Sequence, residues 1–242
     1  MGSVKFDVEY LPAGEFFAAH PEVTAATDRS LLTDLLYEAL GNKDVASRAV
    51  LANRLLDWGA DPTQVRSGPY DALGVFVSRL EDPAVEAPLC RRLLESGADP
   101  NLQSGRHGLP LEELMYLPRF VDGDLVPVYD VWFAHPGLDF FVEDRTGDGL
   151  WDKVWRMRWV KPILVTRAVR YIEEHTGVLP PPARFRKKQP DKSWLRFCEG
   201  DVMEQDAAGW WRIAEVATGW EERLLADMAA GFPPPPRPES AG

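Results

Sequence analysis

The sequence predicts a mainly α-helical protein: a solenoid of stacked helix pairs, closed at its C-terminal end by a small α+β cap. Three observations predict it. A signature recurs at a distance of 38 residues, as Arg54-Leu55-Leu56-Asp57-Trp58-Gly59-Ala60-Asp61-Pro62 and as Arg92-Leu93-Leu94-Glu95-Ser96-Gly97-Ala98-Asp99-Pro100. The intervals around these copies each hold two segments with apolar residues at helical spacing. Beyond Pro180, Pro181 and Pro182 the pattern changes to short, alternating, strand-like runs.

Composition agrees with a folded chain. The 242 residues are 45% hydrophobic and 27% charged, enough for one large domain or two small ones with a real core. No apolar run reaches the length of a membrane span, and the first residues show no charged-then-apolar leader. Two cysteines, Cys90 and Cys198, make neither a disulfide framework nor a four-ligand zinc site. These features together point to the cytoplasm. Arginine outnumbers lysine 20 to 7 and isoleucine occurs 3 times, which reads as GC-rich, bacterial coding.

Residues 1–27 read as an N-terminal cap, with a short strand at Val4 to Tyr10, where apolar and polar residues alternate, and a helix at Ala13 to His20. The first pair runs from Leu31 to Leu40 and from Val45 to Leu56. The second runs from Tyr70 to Leu80 and from Pro83 to Leu94. Its second helix places Val85, Leu89, Cys90, Leu93 and Leu94 on one buried face. A third pair spans Leu109 to Leu117 and Val126 to Phe133, and a fourth Leu150 to Trp159 and Pro162 to Glu174. Gly59 and Gly97 follow the last turn of a helix, where a left-handed backbone suits glycine. The Asp-Pro that follows opens a turn and forbids the helix to resume. A weaker copy of the stop falls at Gly137-Leu138-Asp139-Phe140. In the tail, Trp194 to Cys198 reads as a strand, Trp210 to Val216 as its partner, Asp206 to Gly209 as their turn, and Glu221 to Met228 as a helix. Residues 178–232 thus form the cap, and 233–242 a disordered, proline-rich tail.

A helix pair closed by G-A-D-P, with an extended finger leading to the next pair, resembles the ankyrin repeat. Gly97-Ala98-Asp99-Pro100-Asn101 is the strongest match, and Gly108-Leu109-Pro110-Leu111 keeps part of the family's T-P-L-H opening. The resemblance covers four degenerate repeats, about 28–62, 63–100, 101–140 and 141–177, within a repeat region 28–177. It implies a surface built from fingers and first helices that holds another protein. Carried onto this chain, the contacts are Gln64, Arg66, Ser67 and Tyr70 in the first finger. The second finger offers Asn101, Gln103, Arg106 and His107, and the third Glu143, Asp144, Arg145 and Asp148. Asp34 and Glu38 add negative charge from the first helix.

Asp144 to Gly149 has the opening of a calcium loop, but position twelve is Trp155 where a bidentate Glu is required, so it reads as a finger turn. His20, His107, His135 and His175 show no metal-ligand spacing. His135 and His175 sit near helix ends, where a cation suits the dipole. Trp151, Trp155 and Trp159 form one stripe of a helix, read as an aromatic core with Lys153, Arg156 and Arg158 facing out. Trp151, at the start of that helix, is the ring offered to a partner. No nucleophile elbow, phosphate loop or dinucleotide fingerprint is present, which removes the motif arguments for an enzyme without excluding one; the reading taken has no catalytic residue and no cofactor.

Charge sharpens the expectation. Residues 1–150 carry 12 basic and 25 acidic groups, whereas 151–192 carry 11 basic and 4 acidic. An acidic repeat region repels phosphate and attracts a basic protein. A small, acidic, cytoplasmic, degenerate repeat protein with no catalytic motif resembles the bacterial immunity proteins (antitoxins), and the resemblance implies that it neutralises a toxin by binding it. Two alternatives remain. One is nucleic-acid or phosphate binding through Arg184, Arg186, Lys187, Lys188 and Lys192, with Trp194 beside them. The other is an enzyme with its site in the C-terminal segment.

Overall fold

The computed structural model describes residues 3–65, 71–103, 108–143, 149–157 and 160–177, and the backbone of 202–205 and 211–215. Over these residues it is mainly helical. The order is α1 (Val4–Tyr10), α2 (Ala13–Ala19), α3 (Arg29–Leu40), α4 (Val45–Asp57), α5 (Ala72–Arg79) and α6 (Pro83–Glu95). Then come α7 (Pro110–Met115), a 3-10 turn (Asp122–Leu125), α8 (Val126–Phe133), α9 (Leu150–Arg156) and α10 (Pro162–Thr176). A hairpin of β1 (Val202–Gln205) and β2 (Trp211–Glu215) follows. The chain divides into two compact units, Met1–Phe120 with Asp124–Leu138, and Val121–Gly123 with Asp139–Gly242.

Helix starts follow from their first residues. Asp28, Asp44, Asp71 and Asp82 cap α3, α4, α5 and α6, each accepting a backbone N–H from the first turn. Pro83, Pro110 and Pro162 open α6, α7 and α10, where a missing amide costs nothing. The helix ends of the repeated signature are also alike. Gly59 and Gly97 both have φ of 97°. The Gly59 N–H donates to the Leu56 carbonyl at 3.0 Å and Ala60 N–H to Leu55 at 2.9 Å. Gly97 to Leu94 and Ala98 to Leu93 repeat the pattern at 3.0 and 3.1 Å. This paired closure satisfies the last carbonyls of each helix and needs a residue without a Cβ.

In the first unit the helices form two rows. α1 packs on α3, α3 on α5 and α5 on α7, while α2 packs on α4, α4 on α6 and α6 on α8. The rows meet over a core that includes Val8, Leu35, Leu36, Leu51, Leu55, Phe76, Leu89, Cys90, Leu93, Leu114 and Trp132. Within it lies a buried ion pair. Arg48 of α4 and Glu86 of α6 are both wholly buried and bonded to each other. Arg48 also donates to the carbonyls of Asn42 (2.9 Å) and Arg79 (2.8 Å). Glu86 accepts the N–H groups of Glu81 (2.7 Å) and Asp82 (2.9 Å). The two residues are fourth in their helices and 38 positions apart, the spacing of the signature itself. In the second unit α9 packs on α10, and the Phe140 and Tyr171 rings lie 5.8 Å apart. β1 and β2 pair antiparallel, Gln205 opposite Trp211 and Met203 opposite Ile213.

Three expectations are corrected. Val4 to Tyr10 is a helix, because burying Val8 against α3 outweighs the alternating pattern. Its end is fixed by the Asn42 side chain, which donates to the carbonyls of Val8 (2.9 Å) and Leu11 (3.0 Å). α1 and α2 therefore hold the same places in the two rows as the helices after them. In α6, Val85 is 52% exposed and Glu86 takes the inner position, because Arg48 neutralises it. Lys153 is buried in α9 instead of facing out. Val202–Gln205 pairs with the strand at Trp211; Trp194 to Cys198, the Asp206 to Gly209 turn, Glu221 to Met228 and the proline-rich tail lie outside the described residues.

Candidate partner-binding surface

Two parts of the first unit bring expected contact residues together. On α3, Asp34 and Glu38 stand one turn apart and half-buried. Lys5 of α1 lies 2.7 Å from Asp34. Burial raises the Glu38 carboxyl above its ordinary range; the charges of Glu9 and Asp34 act in the same direction and Lys5 opposes them. Three carboxylates and one ammonium thus converge where α1 crosses α3. Glu9 and Lys5 escaped the sequence reading because the segment carrying them reads as a strand.

The first finger is fastened to α3 through Asp61. Its Oδ1 accepts the Thr63 N–H (3.0 Å) and hydroxyl (2.7 Å), and its Oδ2 accepts Gln64 Nε2 and Arg29 Nη2, both at 3.3 Å. The Asp61 N–H donates to Thr33 Oγ1 at 2.9 Å, and the Tyr37 hydroxyl donates to the Gln64 carbonyl. The Thr63 hydrogen bonds are the largest cause of a lowered Asp61 carboxyl, with burial opposing and Gln64 and Arg29 assisting. Gln64 is exposed beside this knot. The second finger begins alike, with Asp99 Oδ1 accepting the Asn101 N–H at 2.8 Å. Asn101 then donates from Nδ2 to the Gly137 carbonyl at 2.6 Å, so its side chain links one closing turn to the next. Gln103 is half-buried.

In the second unit, Glu143 is exposed and its backbone pairs antiparallel with Gly149. Trp151 is 2% exposed, which corrects its reading as a partner contact. Its backbone N–H donates to the Phe140 carbonyl at 2.8 Å and its ring lies 5.6 Å from that of Trp155, so the strand-like entry to α9 folds the indole into the core. Arg66, Ser67, Tyr70, Arg106, His107, Asp144, Arg145 and Asp148 lie outside the described residues, as does the basic segment 184–192.

Other reactive groups are held in structural settings. Burial pushes the Cys90 thiol up, against a smaller lowering by the Trp132 indole, so a thiolate is disfavoured there. Cys198 lies outside the described residues. His175 contacts the Tyr171 carbonyl at 2.8 Å and stacks on its ring, and the Gly137 N–H donates to His135 Nδ1 at 3.1 Å; both histidines serve their helix ends. Among the described residues, no group of three His, Cys, Asp or Glu is placed to hold a metal ion. An open groove of about 510 Å³ lies beside the first finger, with Arg29, Trp58, Asp61 and Ser96 in its walls. The two copies of the sequence signature supply Leu56, Trp58 to Pro62 and Ser96 of its walls; the other residues come from α3 and the loop before it, brought together by the fold.

No described helix is long and apolar enough to cross a membrane. No protein-family model and no curated protein matches the chain. A functionally unknown protein from Leptotrichia buccalis C-1013-b, solved by crystallography, has a similar fold, with a TM-score of 0.57 and 20% sequence identity over 72% of this chain and 94% of that one.

Proposed function

We propose that α3–α4, α5–α6, α7–α8 and α9–α10 are degenerate ankyrin-like repeats, and that the chain binds another protein through its fingers and first helices. Its work is binding and not catalysis, and it acts in the cytoplasm, with the β1–β2 hairpin part of a C-terminal α+β cap. One observation carries this reading: the closing turn and finger entry are built twice from the same hydrogen bonds. Gly59 and Gly97 close α4 and α6 identically, and Asp61 and Asp99 each accept the amide two residues on, at 3.0 and 2.8 Å. A closing turn and finger entry built twice to one plan, 38 residues apart, is what stacked repeats of a solenoid require.

The partner is a basic protein, and the chain acts on it as an immunity protein acts on a toxin. The support is charge: 25 acidic against 12 basic groups over residues 1–150, and the convergence of Glu9, Asp34 and Glu38 on the α1–α3 face. The test is capture from the source cell with the tagged full-length protein and with the double variant Asp34→Lys/Glu38→Lys. The wild type is expected to retain one stoichiometric basic protein that the variant loses. Equal retention by both, or recovery of nucleic acid in place of protein, contradicts the reading.

A further inference from the structure

His20 follows α2 and is nearly buried, its ring centroid 5.1 Å from that of Phe16. Nε2 lies 2.8 Å from Asp7 Oδ2 on α1, and Nδ1 lies 3.1 Å from Glu22 Oε1 in the loop that leads to α3. Ionised carboxylates only accept hydrogen bonds. A neutral imidazole has one N–H, so it serves one of these partners and turns a lone pair on the other. The imidazolium, with two donors, serves both.

We propose that protonated His20 is the pin that closes the N-terminal helix pair, so that α1 is held against its neighbours by a proton and loosened when the proton leaves. The surroundings favour the charged form. Burial lowers the imidazole pKa, but hydrogen bonds to Asp7 and Glu22 and the charges of both more than offset this and raise it above 6.5. Asp7 from α1 and Glu22 from the loop are the charges acting on the ring. α4, also packed on α2, turns Arg54 onto the Phe17 and Trp58 rings, at 5.9 and 5.7 Å from their centroids. A raised pKa gives stability that is complete below the unfolded value and is lost as pH rises through the folded one. The clasp therefore opens on the alkaline side of 6.5.

What α1 covers makes the opening consequential. Its Val8 is wholly buried, and its Lys5 neutralises Asp34. Loosening α1 exposes the apolar end of the row that α3 continues and releases Asp34 and Glu38 from the charges α1 brings to them. The effect on a partner rests on the binding reading above; the closure itself does not.

The test follows the His20 imidazole resonances against pH in the full-length protein. It also measures amide hydrogen exchange of residues 4–10 at about pH 5.5 and pH 8.5, corrected for intrinsic rates. His20 is expected to titrate above 6.5. Protection of α1 is expected to fall about tenfold across that window relative to α6, and to stay flat in His20→Gln. Titration at or below 6.5, or equal α1 protection at both pH values in the wild type, overturns the proposal. Asp7→Asn leaves the imidazole one carboxylate and gives an independent check if His20→Gln fails to fold: it is expected to lower the His20 pKa and flatten the α1 response, and an unchanged response overturns the proposal. Neither readout depends on a binding partner, so failure here is distinct from failure of the partner reading.

Discussion

Arg48 and Glu86 are the residues on which the core depends most sharply. Each is wholly buried, and each holds backbone groups as well as its partner. Removing one charge strands the other, so Arg48→Met is expected to destabilise by about 3–5 kcal/mol in urea unfolding. The double variant Arg48→Met/Glu86→Leu should recover most of that loss, because two apolar side chains leave no buried charge. Asp71 gives a second, pH-dependent prediction. It caps α5 through the Gly74 N–H at 2.7 Å, is 2% exposed, and its Oδ2 has no hydrogen-bond partner among the described residues. Burial, assisted by the Asp99 charge and opposed by the cap bond, pushes its carboxyl up to about 6. Such a group contributes stability below its unfolded value near 3.8, lost as pH rises through about 6. Asp71→Asn keeps the cap without the charge. It should raise the unfolding free energy by about 3 kcal/mol at neutral and alkaline pH and leave it unchanged near pH 3. None of this was legible in the sequence. A charged residue at a helical position reads as solvent-facing until its partner 38 residues away is seen.

At the scale of elements, the second helices were easiest to read. α4, α6 and α8 begin at the residues expected of them, because Asp44 and Asp82 cap, Pro83 starts and the apolar spacing is regular. The closing glycines were equally plain, since their conformation follows from the missing Cβ. They carry the third prediction. A Cβ at Gly59 meets nothing within 4 Å, so Gly59→Ala isolates the backbone cost of its φ of 97°, expected at about 1–2 kcal/mol. At Gly97, with the same φ, the added methyl meets only Thr63 Cγ2 at 3.4 Å, an ordinary contact, so Gly97→Ala should cost about the same. Thermal unfolding of both variants checks it. α1 was misread because seven residues of alternating polarity carry too little information to choose between periods of 2 and 3.6. The docking of Val8 on α3 and the Asn42 side chain decide the matter, and both come from elsewhere in the chain. Trp151 was misread for a related reason. Position at a helix start suggested exposure, whereas the Phe140 and Val142 carbonyls draw the start of α9 inward.

For the molecule as a whole, acidity was the property most readily taken from the sequence. Its organisation needed the fold. Asp34 and Glu38 belong to one cluster with Glu9 because α1 lies across α3, and Gln64 stands near α3 because Tyr37 and Asp61 fasten the finger there. The most direct test of the binding account is the rate at which the captured partner associates with the protein, measured against ionic strength. The account predicts a rate that falls steeply as salt rises, and a further drop with a flatter salt dependence for Asp34→Lys/Glu38→Lys. A rate indifferent to salt and to the charge reversal would contradict it.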